Sequence, residues 1–185
     1  MIINLLNDKV TYKVLLLISY APGRGYKYSE IKSALNMNNS SLYKIIHKLS
    51  FYDVIKKENN FLKFNFNNPL SEQILNVIEI DKKRWNNLGF KPTLILLDFL
   101  SQIDKREEIE NVILFGSYAK KTNTQKSDID IAIISKDKID LFEIAYNLEE
   151  TYSVKIEIHN FATKDFKEKS NKLIREIVRD GIYLK

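Results

Sequence analysis

The stretch Val112–Ile134 reads VILFGSYAKKTNTQKSDIDIAII, and the rest of the chain is organised around it. An apolar run, Val112 to Phe115, stops at Gly116-Ser117. Ser127-Asp128-Ile129-Asp130 then opens a second apolar run, Ile131 to Ile134. The pattern predicts a strand over 112–115, a glycine–serine turn, a short helix from Ser117 to about Thr122, and a strand over 129–134. Gly116 lets backbone approach a phosphate closely, and a following helix start offers unpaired N–H groups, with the Ser117 hydroxyl as a further donor. Asp128 and Asp130 lie two apart in a strand, so their carboxylates project from one face. Adjacent carboxylates repel unless a cation sits between them, and oxygen-only ligands select Mg²⁺ or Mn²⁺. The stretch is suited to holding a phosphate chain beside metal ions.

A third acid on a neighbouring strand is expected, and Val154–Ile158 supplies Glu157. Ile156 and Ile158 point to a core, and Lys155, Glu157 and His159 share the other face. Lys155 and His159 are candidates for contacting phosphate or orienting an attacking group. Tyr118 and Lys120 read as surface residues. A helix capped by Asp140 turns Leu141, Ile144, Ala145 and Leu148 inward, and a last helix led by Ser170 turns Leu173, Ile174, Ile177 and Val178 inward. Strand and helix alternate through 111–185, which makes an α/β layer.

Composition narrows the chemistry. The 185 residues include no cysteine and only two histidines, which excludes disulfides, thiolate zinc and histidine-rich metal sites and fits a cytoplasmic protein. No apolar run approaches the roughly 20 residues of a membrane span, so no membrane association is expected, and no cleavable signal peptide is predicted. The net charge of +5 is uneven: residues 1–68 carry +6, residues 69–110 carry −2 and residues 111–185 carry +1. The positive excess therefore lies at the N-terminal end, where a nucleic-acid contact would be sought.

There, Val10, Val14, Leu17 and Ile18 predict a buried helix over 9–20, broken at Ala21-Pro22-Gly23. Ser29 can cap a helix over 30–35 that turns Ile31, Ala34 and Leu35 inward, and the asparagines of 36–39 suit a turn. A third helix, 40–51, places Leu42, Ile45, Ile46 and Leu49 on one face and Tyr43, Lys44, His47 and Lys48 on the other. Residues 54–58 and 61–66, with Leu62, Phe64 and Phe66 alternating, read as a β-hairpin around Asn59-Asn60.

The segment Ser29–Asn65 resembles the winged helix-turn-helix family in the order and spacing of its elements, with Asp53 where many relatives carry glycine. The resemblance implies an α+β domain over 1–68. It would bind DNA through Ser40, Ser41, Tyr43, Lys44, His47 and Lys48, with Lys56, Lys57 and Lys63 in the wing. A helical linker, 69–92, follows. It contains an apolar stripe of Leu70, Ile74, Val77, Ile78 and Trp85, then a loop over 86–92. The helix over 93–103 is apolar on more than one face, so burial between domains or in a homodimer is expected.

Gly116-Ser117 followed by Asp128-x-Asp130 and a later strand acid resembles the nucleotidyltransferase superfamily that includes DNA polymerase β, in its minimal form, over about residues 94–185. The resemblance implies an α/β domain over 93–185 with a small mixed sheet, and Mg²⁺-dependent (or Mn²⁺-dependent) transfer of a nucleoside monophosphate from an NTP, ATP first among them, to an acceptor hydroxyl. Asp128, Asp130 and Glu157 would be catalytic and metal-binding, and Gly116 and Ser117 would hold the nucleotide. Lys121 replaces a common glycine, and Glu157 replaces the commoner aspartate. Two other readings follow: a winged-helix transcriptional regulator with an inactive or nucleotide-sensing transferase fold, and an antitoxin-like enzyme whose acceptor is a partner protein.

Overall fold

The structure, a computed structural model, describes residues 2–168 and 171–185. The chain divides into two compact units, Met1–Lys83 and Arg84–Lys185. No helix among the described residues is long and apolar enough to cross a membrane.

In the N-terminal unit, α1 (Ile2–Leu6) and α2 (Lys9–Ser19) precede β1 (Tyr26–Lys27), α3 (Tyr28–Ala34), α4 (Asn39–Phe51), β2 (Ile55–Glu58), β3 (Phe61–Phe64) and α5 (Pro69–Arg84). Asp8 caps α2, its carboxylate accepting from the Val10 and Thr11 amides. The N-cap of α3 is Lys27, so Ser29 lies inside the helix rather than capping it; Glu30 accepts from the Lys27 amide at 2.6 Å. Asn36 takes a left-handed conformation in the turn, and Asn38 caps α4 through the Ser41 amide at 2.8 Å. Asp53 occupies its glycine-like position at φ 54°.

Asn59 and Asn60 both have positive φ in the two-residue loop joining β2 to β3, the requirement of a type I′ hairpin turn. The unit's sheet has the order β1-β3-β2 and is antiparallel throughout. Several sequence expectations are corrected. β3 ends at Phe64, leaving Phe66 exposed, and Asn65 is buried instead, donating to the Asp53 carbonyl and carboxylate at 3.0 and 2.7 Å. Val10, Ala34 and Val77 also face solvent rather than the core.

The C-terminal unit contains α6 (Phe90–Ile103), β4 (Ile109–Phe115), α7 (Gly116–Ala119), β5 (Ile129–Ser135), α8 (Phe142–Tyr152), β6 (Ile156–Ala162), α9 (Thr163–Lys167), α10 (Lys172–Asp180) and β7 (Ile182–Tyr183). α6 starts at Phe90, not Thr93: Pro92 sits in its first turn, where its missing N–H costs nothing. The sheet order is β6-β5-β4-β7, with β5 and β6 parallel and the other pairs antiparallel. This is a small mixed sheet. The parallel pair needs a crossover, and α8 supplies it.

Period-two alternation sorts the strands onto two faces. Val112, Leu114, Ile129, Ile131, Ile133 and Ile156 pack with Phe99 and Ile103 of α6 and with Ala145 and Leu148 of α8. α6 is thus buried in large part within its own unit's core. Ile113, Phe115, Ala132 and Ile134 form a smaller core with Ile177 of α10. Leu173 points outward rather than inward, and Tyr118, expected at the surface, is buried. Asn171 caps α10 through the Ile174 amide; Ser170, expected to lead that helix, lies outside the described residues.

Phe99 is fully buried in the larger core, and Trp85, the chain's one tryptophan, packs against that core. Phe99→Ala should therefore destabilise the C-terminal unit by about 3–5 kcal/mol, read as an earlier urea midpoint in tryptophan fluorescence.

Candidate active site

Three strands carry the candidate site in one row. Phe115 pairs with Asp130 across β4 and β5, and Asp130 pairs with Glu157 across β5 and β6. All three residues project from the α10 side of the sheet. One row further in, Ile113 pairs with Ala132 and Ala132 with His159. The chain turns from β4 into α7 at Gly116, whose φ is +67°. A Cβ built there would lie 2.0 Å from Oδ2 of Asp130 and 2.8 Å from its Cγ. Glycine is required twice, by backbone angle and by the carboxylate packed against it. The first backbone N–H groups of α7 have no partner within the helix, so the turn presents donors beside Asp130. Lys121 adopts φ 58° on the exposed loop after α7.

One ligand atom from each of Asp130, Glu157 and His159 can be chosen so that all three lie within 4.8 Å of one another. Carboxylate oxygens suit a hard divalent cation, and the imidazole adds a nitrogen donor. These residues therefore fit a Mg²⁺ or Mn²⁺ ion. Asp128, expected in the same strand as Asp130, lies just before β5 begins at Ile129 and falls outside this group. Its carboxylate meets the Lys155 ammonium at 3.3 Å, and the same ammonium hydrogen-bonds Glu157. The pairing is well exposed, and such surface ion pairs are worth about 0–1 kcal/mol, so an incoming cation or phosphate can displace it.

His159 Nε2 lies 3.8 Å from Oε2 of Glu157. Its ring meets the Phe115 ring edge-on at 5.2 Å and stacks on Phe161 at 6.5 Å, which holds it in the row. Burial, then the neighbouring Glu157 charge, push the Asp130 carboxyl above the usual carboxylate range. The Lys155 ammonium holds Glu157 below it. Two neighbouring acids thus sit in different states of proton affinity. Behind the turn, Lys120 pairs with Glu176 and Asp180 of α10, bracing α7 on that helix. From sequence, Lys120 reads as a surface residue and His159 as a phosphate contact or an orienting group; neither the brace on α10 nor the place of His159 beside the two acids was expected.

The N-terminal candidates separate. Tyr43, His47 and Lys57 converge on one groove. Cross-strand pairing puts Lys57 opposite Leu62 and Lys56 opposite Lys63, so the wing lysines face two ways. Lys63 pairs with Glu58, and Lys48 with Asp8. Ser40 and Lys44 are exposed on α4, and the Ser40 hydroxyl donates to Asn38. Ser41 is half-buried over the helix start. Lys27, Tyr28 and Lys32 line the groove as well. Sequence reading missed them because it looked only to α4 and the hairpin.

Residues 100–185 match the family model described as Polymerase beta, Nucleotidyltransferase. The matched residues take in β4 to β7 and the row described above. A curated relative, "Putative protein adenylyltransferase MJ1547" of Methanocaldococcus jannaschii, is 39% identical over 49 residues, 26% of this chain. The chain spans 40% of that relative's length. Among solved structures, a toxin–antitoxin complex with AMP-PNP aligns at TM-score 0.37 and 24% identity, over 49% of this chain and 70% of that one. TrmBL2, an archaeal chromatin protein, aligns at TM-score 0.28 and 14% identity, over 96% and 74%. At such TM-scores neither alignment bears on function.

Gly116→Ala should push the Asp130 carboxylate out of the row and weaken Mn²⁺ binding measured calorimetrically. It should also cost about 1–2 kcal/mol for the left-handed backbone. In an NMR titration, Glu157→Gln should lower the Asp130 pKa yet leave it above the usual range, because burial is the larger cause of its rise.

Proposed function

We propose that the C-terminal unit is a Mg²⁺-dependent adenylyltransferase that moves AMP from ATP onto a hydroxyl of a partner protein. The carrying observation is the row Asp130–Glu157–His159 beside the Gly116-Ser117 turn. The superfamily match supports nucleotidyl transfer. The name of the 39% identical relative supports ATP as donor and a protein as acceptor.

In this reading the turn's N–H groups and the Ser117 hydroxyl hold the triphosphate. Asp128, Asp130 and Glu157 hold the metal, with His159 as a further donor. A bound divalent cation supplies charge neutralisation on the phosphates and activation of the attacking oxygen. Glu157, kept ionised by the neighbouring Lys155 ammonium, takes up the acceptor proton directly or through water. The acceptor oxygen then bonds to the α-phosphorus, the bond to the bridging oxygen breaks, and pyrophosphate leaves. Lys155, freed from Asp128, is placed to meet the phosphate charge.

The N-terminal unit, in the same proposal, is a winged helix-turn-helix module that brings the enzyme to nucleic acid. The order α3–turn–α4–hairpin and the basic excess of residues 1–68 support it. One observation favours the rival reading of a regulator with a nucleotide-sensing C-terminal unit: Lys155 already pairs with both Asp128 and Glu157.

Incubation with α-³²P-labelled NTPs, Mg²⁺ and lysate of the native cell separates the two. Label from ATP should appear on a protein band and fall to background with Asp128→Ala/Asp130→Ala. Absence of label from every NTP, in a preparation that still binds Mn²⁺, would leave the regulator reading standing instead.

A further inference from the structure

The groove between α3, α4 and the β2–β3 hairpin has a volume of about 710 Å³, within the roughly 300–1,000 Å³ typical of small-ligand sites. Its lining contains no carboxylate. Three lysines reach it from three different elements: Lys27 from β1, Lys32 from α3 and Lys57 from β2. Among the described residues Lys32 and Lys57 have no acidic partner, whereas Lys48 and Lys63, outside the groove, each have one. The basic charge of this unit is thus left uncompensated where the surface is concave.

The same groove presents aromatic faces. Tyr28 is anchored by its hydroxyl, which donates to the Asn39 carbonyl at 3.2 Å. Tyr43 is 65% exposed on α4. One turn on, the His47 ring lies 6.3 Å from it and is tilted by 31°. Ile46 and Leu62 supply an apolar floor. Cations without acids attract phosphate, and exposed rings over an apolar floor attract the flat face of a base. Duplex DNA satisfies only half of this, because its base faces are stacked and its grooves offer base edges.

We propose that this groove binds a nucleotide unit whose base face is free, as in single-stranded nucleic acid, with Tyr43 stacking on the base and Lys32 and Lys57 meeting its phosphates. The proposal rests on the nucleic-acid role given above to the N-terminal unit and narrows it from duplex to unpaired bases. Tyr43 then explains its own exposure, and Lys57 its placement on the opposite face of the hairpin from Lys56 and Lys63.

Fluorescence anisotropy of the full chain with a labelled oligothymidylate of about a dozen residues tests it, beside the corresponding dA·dT duplex, with inorganic polyphosphate and dTMP as competitors. The single strand should bind more tightly than the duplex. Tyr43→Ala should weaken it about tenfold, the loss of one stacked base, while Tyr43→Phe keeps the affinity. Lys32→Ala/Lys57→Ala should flatten the slope of log K against log salt by about 1.4. Competition by dTMP would assign the free nucleotide as a sufficient ligand, and its absence the polymer. Tighter duplex binding that ignores Tyr43→Ala would overturn the proposal while leaving a nucleic-acid role intact. Displacement by polyphosphate as efficient as by unlabelled oligothymidylate would overturn it by reducing the groove to charge alone. Failure of both single strand and duplex to bind would refute the proposal and the nucleic-acid role together.

Discussion

The candidate site depends on one close approach, that of the Asp130 carboxylate to the Cα of Gly116. With 2.0 Å between Oδ2 and the position a Cβ would take, nothing larger than a hydrogen fits. β4 must therefore be followed by glycine where β5 brings in its aspartate. The pairing of Phe115 with Asp130 fixes that meeting, and the positive φ of Gly116 turns the chain away into α7. Donors for an anion and a carboxylate for a cation are thus held side by side by backbone geometry.

Around that contact the sheet does the positioning. Its larger core, with α6 and α8, fixes the register of β4, β5 and β6 through Val112, Leu114, Ile131 and Ile133. The opposite face is apolar only where Ile113, Phe115, Ala132, Ile134 and Ile177 meet, and beyond that patch it carries acids. Ala132 matters by being small. It separates Ile113 from His159 in their row and leaves the imidazole ring to be held by Phe115 and Phe161. Charge balance comes from Lys155, flexible and exposed, in contrast to the fixed glycine contact.

Much of this was legible in the sequence, where a local rule governed the outcome. Alternation of period two put Ile156 and Ile158 on one face and Glu157 on the other, and the structure agrees. Asp53 was readable because aspartate is among the few residues that tolerate left-handed backbone, and Gly116 because its missing side chain allows a close approach; the structure adds positive φ at both. Where tertiary neighbours decided, the sequence was silent. β1 and β7 are two residues each, too short to show a period. α7 has four residues, so nothing in its pattern could tell that Tyr118 is buried and Lys120 reaches α10. Val10, Ala34, Val77 and Leu173 belong to helical stripes whose width depends on what packs against them. Asp128 stands one residue before β5 begins, so the rule that aligns residues two apart in a strand does not reach it.

The parallel pairing of β5 with β6 carries a consequence for how the site comes into being. Asp128 and Lys155 stand 27 residues apart in sequence, with the whole α8 crossover between them. The entropy of closing that loop is not recovered until β6 locks into register. The Asn59-Asn60 hairpin, by contrast, closes over two residues. Assembly of the acidic row is therefore a non-local event, tied to the pairing of β5 with β6 rather than to the local sequence around either aspartate.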